Sequence, residues 1–212
     1  MQREKLILLG AGGHCKACID VIEETNEYEI IGVLDHPDLF GTKILSIEVI
    51  GTDDDILKYV QKGYSFLVTV GQIKSATTRI NIFDKLNTAS ARLATVISPK
   101  ASVSRYATIG AGTIVMHHVN VSADVQVGMN CILNTGCDVE HESTIGNHTH
   151  VSTFAVVNGA CVVGDEVFIG SNATLNNQVN VANNIIIGSG SVVRKDLKRF
   201  GTYFGDPARI IR

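Results

Sequence analysis

The sequence has no long run of basic residues, and no apolar run approaches the ~20 residues that a membrane-spanning helix needs. Only 18% of its 212 residues are charged, and the formal net charge is -3. These absences argue against nucleic acid and anionic membranes as main partners. The apolar content of 45% is typical of a globular chain. The short apolar stretch in MQREKLILLGAGGH does not suit a secretory signal, so we expect a cytoplasmic protein.

Cysteines are few and irregularly spaced. Five are present, an odd number, and free thiols in a reducing compartment are the natural interpretation. Cys15 and Cys18 form a single C-x-x-C pair, with no second pair to complete a zinc site. We therefore interpret them as two small residues one turn apart on a helix, and we expect no metal.

The second half of the chain repeats every six residues. From Ile97 to Val193, every sixth position is Val, Ile or Leu, seventeen times in register. A period of six fits neither an α-helix nor simple strand alternation, but it is typical of a hexapeptide β-helix built from short strands and corners. We expect this domain to span residues 95–212. The aliphatic residues should fill its interior beside small inward residues, which include Cys131, Cys137 and Cys161.

Ahead of the repeat, strand and helix signals alternate. A buried strand leads into Gly10, Gly12 and Gly13, which let the backbone approach a ligand, and the helix N-terminus behind them favours a phosphate. A second strand ends in Asp35, whose carboxylate can accept hydrogen bonds from a ribose or a base edge. A third strand ends at Gly71. We interpret residues 1–94 as a small Rossmann-like βαβαβ domain.

Together the two halves resemble a known family. The repeat resembles the left-handed parallel β-helix of hexapeptide acyltransferases, in which three hexapeptides form one triangular coil, so seventeen repeats imply between five and six coils. The segments GAGGH, LDH and TVG resemble the sugar-nucleotide domain of one branch of that family. This branch contains the bacillosamine- and perosamine-type N-acetyltransferases and the sialic acid O-acetyltransferases. The resemblance covers nearly the whole chain, and it implies a homotrimer that uses acetyl-CoA.

The resemblance also implies site residues. His141 and Glu142 match the family's histidine–acid pair, in which histidine is a natural base for an amine and the carboxylate favours its charged form. His150, nine residues further on, matches a histidine that contacts acyl-CoA. The small residues that match the CoA groove are Gly159, Ser171 and Ser189. The sugar nucleotide is expected at Gly12, Gly13, His14, Asp35, His36 and Gly71.

The leading interpretation is an acetyl-CoA-dependent N-acetyltransferase that acylates the 4-amino group of a nucleotide-linked 4-amino-4,6-dideoxy sugar. Direct attack is expected, because no serine or cysteine is placed beside the base. An O-acetyltransferase of a sialic-acid-type sugar would use the same base and stays open. Alternatives of another class are a non-catalytic nucleotide-sensing β-helix and a zinc-dependent carbonic anhydrase, although His141 and His150 should lie on different faces. The nucleotide stays open among UDP, GDP and dTDP.

Overall fold

The computed structural model describes residues 3–211 of the chain. Its first part is a six-stranded sheet with strand order β3-β4-β2-β1-β5-β6, in which β3 and β4 form an antiparallel hairpin and the other pairs are parallel. The strands are β1 (Glu4–Leu9), β2 (Tyr28–Leu34), β3 (Lys43–Ile44), β4 (Ile47–Gly51), β5 (Ser65–Val68) and β6 (Arg92–Leu93). The helices are α1 (Gly13–Thr25), α2 (Ile56–Val60) and α3 (Thr77–Thr88), with short 3₁₀ turns at Pro37–Leu39 and Asp53–Asp55.

Helices cover both faces of this sheet. The central strand β1 is apolar on both sides, and its residues Leu6–Leu9 are fully buried, as expected of a parallel strand between two layers. On one face, α1 buries a stripe that contains Cys15, Cys18, Ile19 and Ile22. On the other face, α2 and α3 pack against β1, β2 and β5. The Rossmann-like prediction is confirmed, but the sheet has more strands than the three predicted.

The second part is a prism of parallel strands. Seventeen strands stack into three sheets of six, six and five, followed by a closing hairpin of β24 (Gly201–Phe204) and β25 (Arg209–Ile210). The seventeen are β7 (Val96–Ile97), β8 (Ser102–Val103), β9 (Thr108–Ile109), β10 (Ile114–Val115), β11 (Asn120–Val121), β12 (Gln126–Val127), β13 (Ile132–Leu133), β14 (Asp138–Val139), β15 (Thr144–Ile145), β16 (His150–Val151), β17 (Val156–Val157), β18 (Val162–Val163), β19 (Phe168–Ile169), β20 (Thr174–Leu175), β21 (Asn180–Val181), β22 (Ile185–Ile187) and β23 (Val192–Val193).

The six-residue period accounts for this prism. Each of the seventeen strands ends on one of the predicted aliphatic residues, and fourteen of these residues are buried. The three others, Ile97, Val103 and Ile109, belong to the first coil and are partly exposed, because no coil lies below them. The prediction of a left-handed β-helix of hexapeptide repeats is confirmed.

The corners of the prism have a regular backbone conformation. One residue in every six has a positive φ, from Gly112 to Gly190. Several of these positions hold Asn, Asp or Gly, which adopt this left-handed conformation most readily. Others hold larger residues, such as Glu142 and Phe154, although the conformation is less favourable for them.

The two parts share one apolar core. Side chains of α1 and of the β-helix belong to the same buried cluster, and α1 packs against β7. The N-terminal part therefore covers one face of the prism, and eight of the twelve predicted site residues line the cavity between the two parts. None of the helices within residues 3–211 is long and apolar enough to cross a membrane.

Candidate active site

The carboxyl ends of β1, β2 and β5 meet at one edge of the N-terminal sheet. Gly10 follows β1 with a φ of +108°, and a Cβ on it would lie 2.4 Å from the side chain of Val70. Only glycine fits this turn. Asp35, directly after β2, accepts hydrogen bonds from the backbone N–H groups of Ala11 and His36. Its carboxylate therefore ties the glycine turn to the neighbouring strand end.

The N-terminus of α1 opens onto this edge. Gly12 is its N-cap, no side chain caps it, and a Cβ on Gly12 or Gly13 would meet no atom within 4 Å. The free N–H groups and the helix dipole together favour an anion such as phosphate. His14 follows, and its Nε2 is buried with no hydrogen-bond partner among residues 3–211. Burial, and then the positive charge of Arg79, lower the pKa of His14 to about 3, so the ring is neutral at pH 7.

Two adjoining cavities open at this edge and share Gly10, Asp35 and Val70. The first has a volume of about 450 Å³ and lies within the N-terminal part. His36 lies on its wall as an exposed side chain, with Nδ1 3.1 Å from a carboxylate oxygen of Asp38. The polar side chains on its wall include Asp35, His36, Thr52, Asp53, Asn81 and Lys85.

The second cavity lies between the N-terminal part and the prism and has a volume of about 740 Å³. Its wall contains eight of the twelve predicted site residues, which are Gly12, Gly13, His14, Asp35, Gly71, His150, Ser171 and Ser189. Sequence reasoning missed Asn134, Ser152 and Phe168, which also line it. These three residues lie on or beside the strands of one prism face, so their role becomes visible only once the covered face is known.

His150 is buried between the two parts of the molecule. Its Nδ1 lies 2.8 Å from the carbonyl oxygen of Gln72, and its Nε2 lies 3.1 Å from Nδ2 of Asn134. The ring of Phe168 packs edge-on at 5.2 Å, and the ring of His14 lies 6.4 Å away. Burial lowers the pKa of His150 to about 4; the Gln72 carbonyl opposes this shift. His150 therefore lines the cavity as an uncharged imidazole ring.

His141 and Glu142 lie at another corner of the prism. His141 follows β14, whereas His150 is in β16 of a different sheet, so one chain does not bring the two together. The Nδ1 of His141 lies 3.0 Å from Oε2 of Glu142, and both side chains are largely exposed. The ring lies against Gly159, where a Cβ would be 2.7 Å from its Nε2. With Nδ1 engaged by the carboxylate, Nε2 is the nitrogen left to accept a proton.

The cysteines lie in the interior of the molecule. All five are free and buried, and burial raises the pKa of each thiol, so none is a reactive thiolate at neutral pH. Among residues 3–211, no group of three His, Cys, Asp or Glu side chains is placed to hold a metal ion.

Comparison with protein families gives two matches. Residues 5–86 match the PglD N-terminal domain, and residues 142–177 match the bacterial transferase hexapeptide of six repeats. Comparison with curated proteins gives no match.

Solved structures are similar along nearly the whole chain. The acetyltransferase domain of PglB from Neisseria gonorrhoeae FA1090 is 27% identical, with a TM-score of 0.90 over 99% of this chain and 100% of that one. PerB from Caulobacter crescentus, in complex with CoA and GDP-perosamine, is 27% identical, with a TM-score of 0.91 over 98% of this chain and 97% of that one. WeeI from Acinetobacter baumannii AYE, 18% identical with a TM-score of 0.78, shares the fold. The chain therefore combines a PglD-type N-terminal domain with a bacterial transferase hexapeptide domain, and along nearly its whole length it is similar to the structures of the PglB acetyltransferase domain and of perosamine N-acetyltransferase.

Proposed function

We propose that this protein transfers the acetyl group of acetyl-CoA to the 4-amino group of a nucleotide-linked 4-amino-4,6-dideoxy sugar. The proposal rests on the cavity between the two parts. One side of this cavity is a glycine turn of the phosphate-binding type, and the other side is a face of the hexapeptide transferase domain. Similar structures support it, since PerB is described with CoA and GDP-perosamine, and the PglB domain with acetyl coenzyme A. Five free thiols fit the reducing environment of the cytoplasm.

The nucleotide end of the substrate belongs to the N-terminal domain, residues 1–94. The free N–H groups after Gly12 suit the diphosphate. Asp35, His36 and Gly71 line the two adjoining cavities, which leave room for a nucleoside beside the phosphates. The carboxylate of Asp35 has lone pairs left to accept hydrogen bonds from the ligand while it holds the glycine turn.

The acyl donor belongs to the prism, residues 95–212. Ser171 and Ser189 are small residues one coil apart on the wall of the cavity, so the pantetheine arm can lie close to the backbone there. His150 closes the same wall as a neutral ring. Gly159 lies at a second, separate corner of the prism, where its lack of a side chain leaves room for the ring of His141.

The chemistry is direct attack assisted by a base. The amine nitrogen of the sugar attacks the thioester carbon, the new C–N bond forms, and the C–S bond breaks to release the CoA thiolate. Nε2 of His141 accepts the proton that the amine loses and returns it to the thiolate, while Glu142 holds Nδ1 and stabilises the charged ring. Structures of perosamine N-acetyltransferase with one histidine replaced by Asn or Ala are among the neighbours, which agrees with a functional histidine.

A homotrimer brings the separated groups together. Within one chain, His141 faces solvent at a corner away from the cavity, so a second prism has to present its own corner to the cavity. Three copies related by a cyclic axis form three identical sites, each with His141 from one subunit and the cavity from its neighbour.

Mixed trimers test this arrangement. His141→Asn and Asp35→Ala should each be nearly inactive when alone at low substrate concentration. After reassortment of equal amounts, about a quarter of the sites should contain two intact halves, so activity should return to about a quarter of wild type. A mixture of His141→Asn with Glu142→Ala is the control, because both changes affect the same half and recovery should stay far lower. If the first mixture recovers no more activity than the control, each site is built from one chain and the shared-site proposal is wrong.

A further inference from the structure

Arg79, in α3, is a charged side chain in the core. It is 1% exposed, and its guanidinium donates to four uncharged oxygen atoms. Nη1 donates to the carbonyl oxygens of Val68 at 3.3 Å and Val70 at 2.6 Å. Nη2 donates to the carbonyl oxygen of Asn130 at 2.8 Å and to its Oδ1 at 2.7 Å. Burying a charge without a carboxylate is costly, so these contacts are a specific feature of the fold.

The four acceptors lie in both parts of the molecule. Val68 ends β5, and Val70 precedes the Gly71–Gln72 segment that lines the cavity. Asn130 is a fully buried corner residue of the prism with a φ of +52°. The planar guanidinium therefore holds the end of β5 at a fixed distance and angle from one corner of the prism.

One consequence concerns His150. The carbonyl of Gln72, two residues after Val70, can only accept, so Nδ1 of His150 must carry the proton. Oδ1 of Asn134 is taken by the backbone N–H of Thr135 at 2.8 Å, so Nδ2 of Asn134 donates to Nε2 of His150. The ring is thus fixed in its Nδ1–H tautomer.

The other consequence concerns His148. A guanidinium has only donors, so its bond to Oδ1 of Asn130 leaves Nδ2 of that amide to face His148. Nδ2 donates to Nδ1 of His148 at 3.0 Å, and the ring proton must then be on Nε2. The ring of Phe83, also on α3, packs edge-on against His148 at 5.2 Å and holds it in place.

We propose that Arg79 is a positioning residue for acyl transfer: it locks the 68–72 segment to the Asn130 corner and thereby fixes His150 as the Nδ1–H tautomer and His148 as the Nε2–H tautomer. The functional part of this inference rests on the proposed function, in which His150 faces acetyl-CoA. A ring fixed in one tautomer presents a constant edge to the ligand, and acyl transfer depends on such constant placement.

The test uses the full-length protein with ¹⁵N-labelled histidine. Spectra of the ligand-free protein distinguish protonated from unprotonated ring nitrogens, and His148→Asn and His150→Asn assign the signals by omission. Wild type should show His150 protonated on Nδ1 and His148 protonated on Nε2. Arg79→Lys keeps the charge, but the lysine ammonium cannot donate hydrogen bonds to both parts of the molecule in one fixed geometry. The rings of His148 and His150 should therefore become tautomer mixtures.

Activity provides the second readout. In Arg79→Lys, kcat/KM for acetyl-CoA should fall by as much as about 100-fold, the effect of displacing a positioned group by about 1 Å. Arg92→Lys is the matched control, because Arg92 is exposed, pairs with Glu4 and belongs to the same domain. It should leave the tautomers and the activity unchanged.

Three outcomes would overturn the proposal. One is a wild-type His150 protonated on Nε2, and another is an Arg79→Lys protein that keeps both tautomers. If Arg79→Lys does not fold, Asn130→Gly decides, since glycine accepts the positive φ and retains the carbonyl: an unchanged His148 tautomer then refutes the proposal. If no acetyl transfer occurs with any substrate, the proposed function fails, while the tautomer spectra still decide the role of Arg79.

Discussion

Acid should destabilise the protein through two neutral histidines, His14 and His150. Their folded-state pKa values, about 3 and about 4, lie below the unfolded value near 6.5. The unfolded chain therefore binds more protons, and the free energy of unfolding falls as the pH drops below about 6.5. The loss continues to about pH 4 for His150 and about pH 3 for His14. Above pH 6.5 neither ring contributes a pH dependence.

The size of this effect follows from linkage. A pH of 5 is about 1.5 units below the unfolded pKa of each ring, and each unit corresponds to about 1.4 kcal/mol. Each ring therefore lowers the free energy of unfolding by roughly 2 kcal/mol relative to pH 7. Together the two rings lower the free energy of unfolding by roughly 4 kcal/mol, a large share of the 5–15 kcal/mol that typically stabilises a domain.

Urea unfolding at pH 7, 6 and 5 measures this loss, at one protomer concentration because the stability of the proposed homotrimer would depend on that concentration. In His150→Asn, the decrease between pH 7 and pH 5 should be smaller than in wild type by roughly 2 kcal/mol. If His150→Asn loses as much stability as wild type over this range, His150 is not held neutral in the folded protein.

Two further predictions concern the two halves of the site. Asp35→Ala should raise KM for the sugar nucleotide and leave KM for acetyl-CoA nearly unchanged in initial-rate kinetics; an equal rise in both would mean that Asp35 serves folding. Gly159→Ala places a methyl group 2.7 Å from Nε2 of His141, so this exposed ring must move while the fold stays intact. Its kcat should fall by about 100-fold with an unchanged melting temperature, and a variant with wild-type kcat would show that the ring position is not critical.

The prism could be predicted almost completely from the sequence. Seventeen aliphatic residues at a strict period of six indicate one architecture, and the observed strands end on these residues. The β3–β4 hairpin was missed because its strands are short and its turn is made by Leu45, with a φ of +55°, and not by a glycine or asparagine.

The interior of the site could be predicted only in part. His150 was identified by resemblance, but its burial depends on Gln72, which is 78 positions away in the sequence and comes close only through domain packing. The sequence does contain a signal for the burial of Arg79. This residue is spaced i, i+4, i+7 with Phe83 and Leu86 on α3, so a charged residue occupies the apolar stripe of that helix.

The release of free CoA thiol from acetyl-CoA measures the proposed acetyl transfer itself. The acceptors are UDP-, GDP- and dTDP-linked 4-amino-4,6-dideoxyhexoses, with the unlinked amino sugar and a sialic acid as comparisons. We expect CoA release and amide formation with a nucleotide-linked amino sugar, and a loss of ~10²–10⁴-fold in kcat for His141→Asn. Release with sialic acid alone, or with no acceptor, would contradict the proposed function. A His141→Asn enzyme that keeps more than about a tenth of wild-type kcat would contradict the role of this histidine as the base.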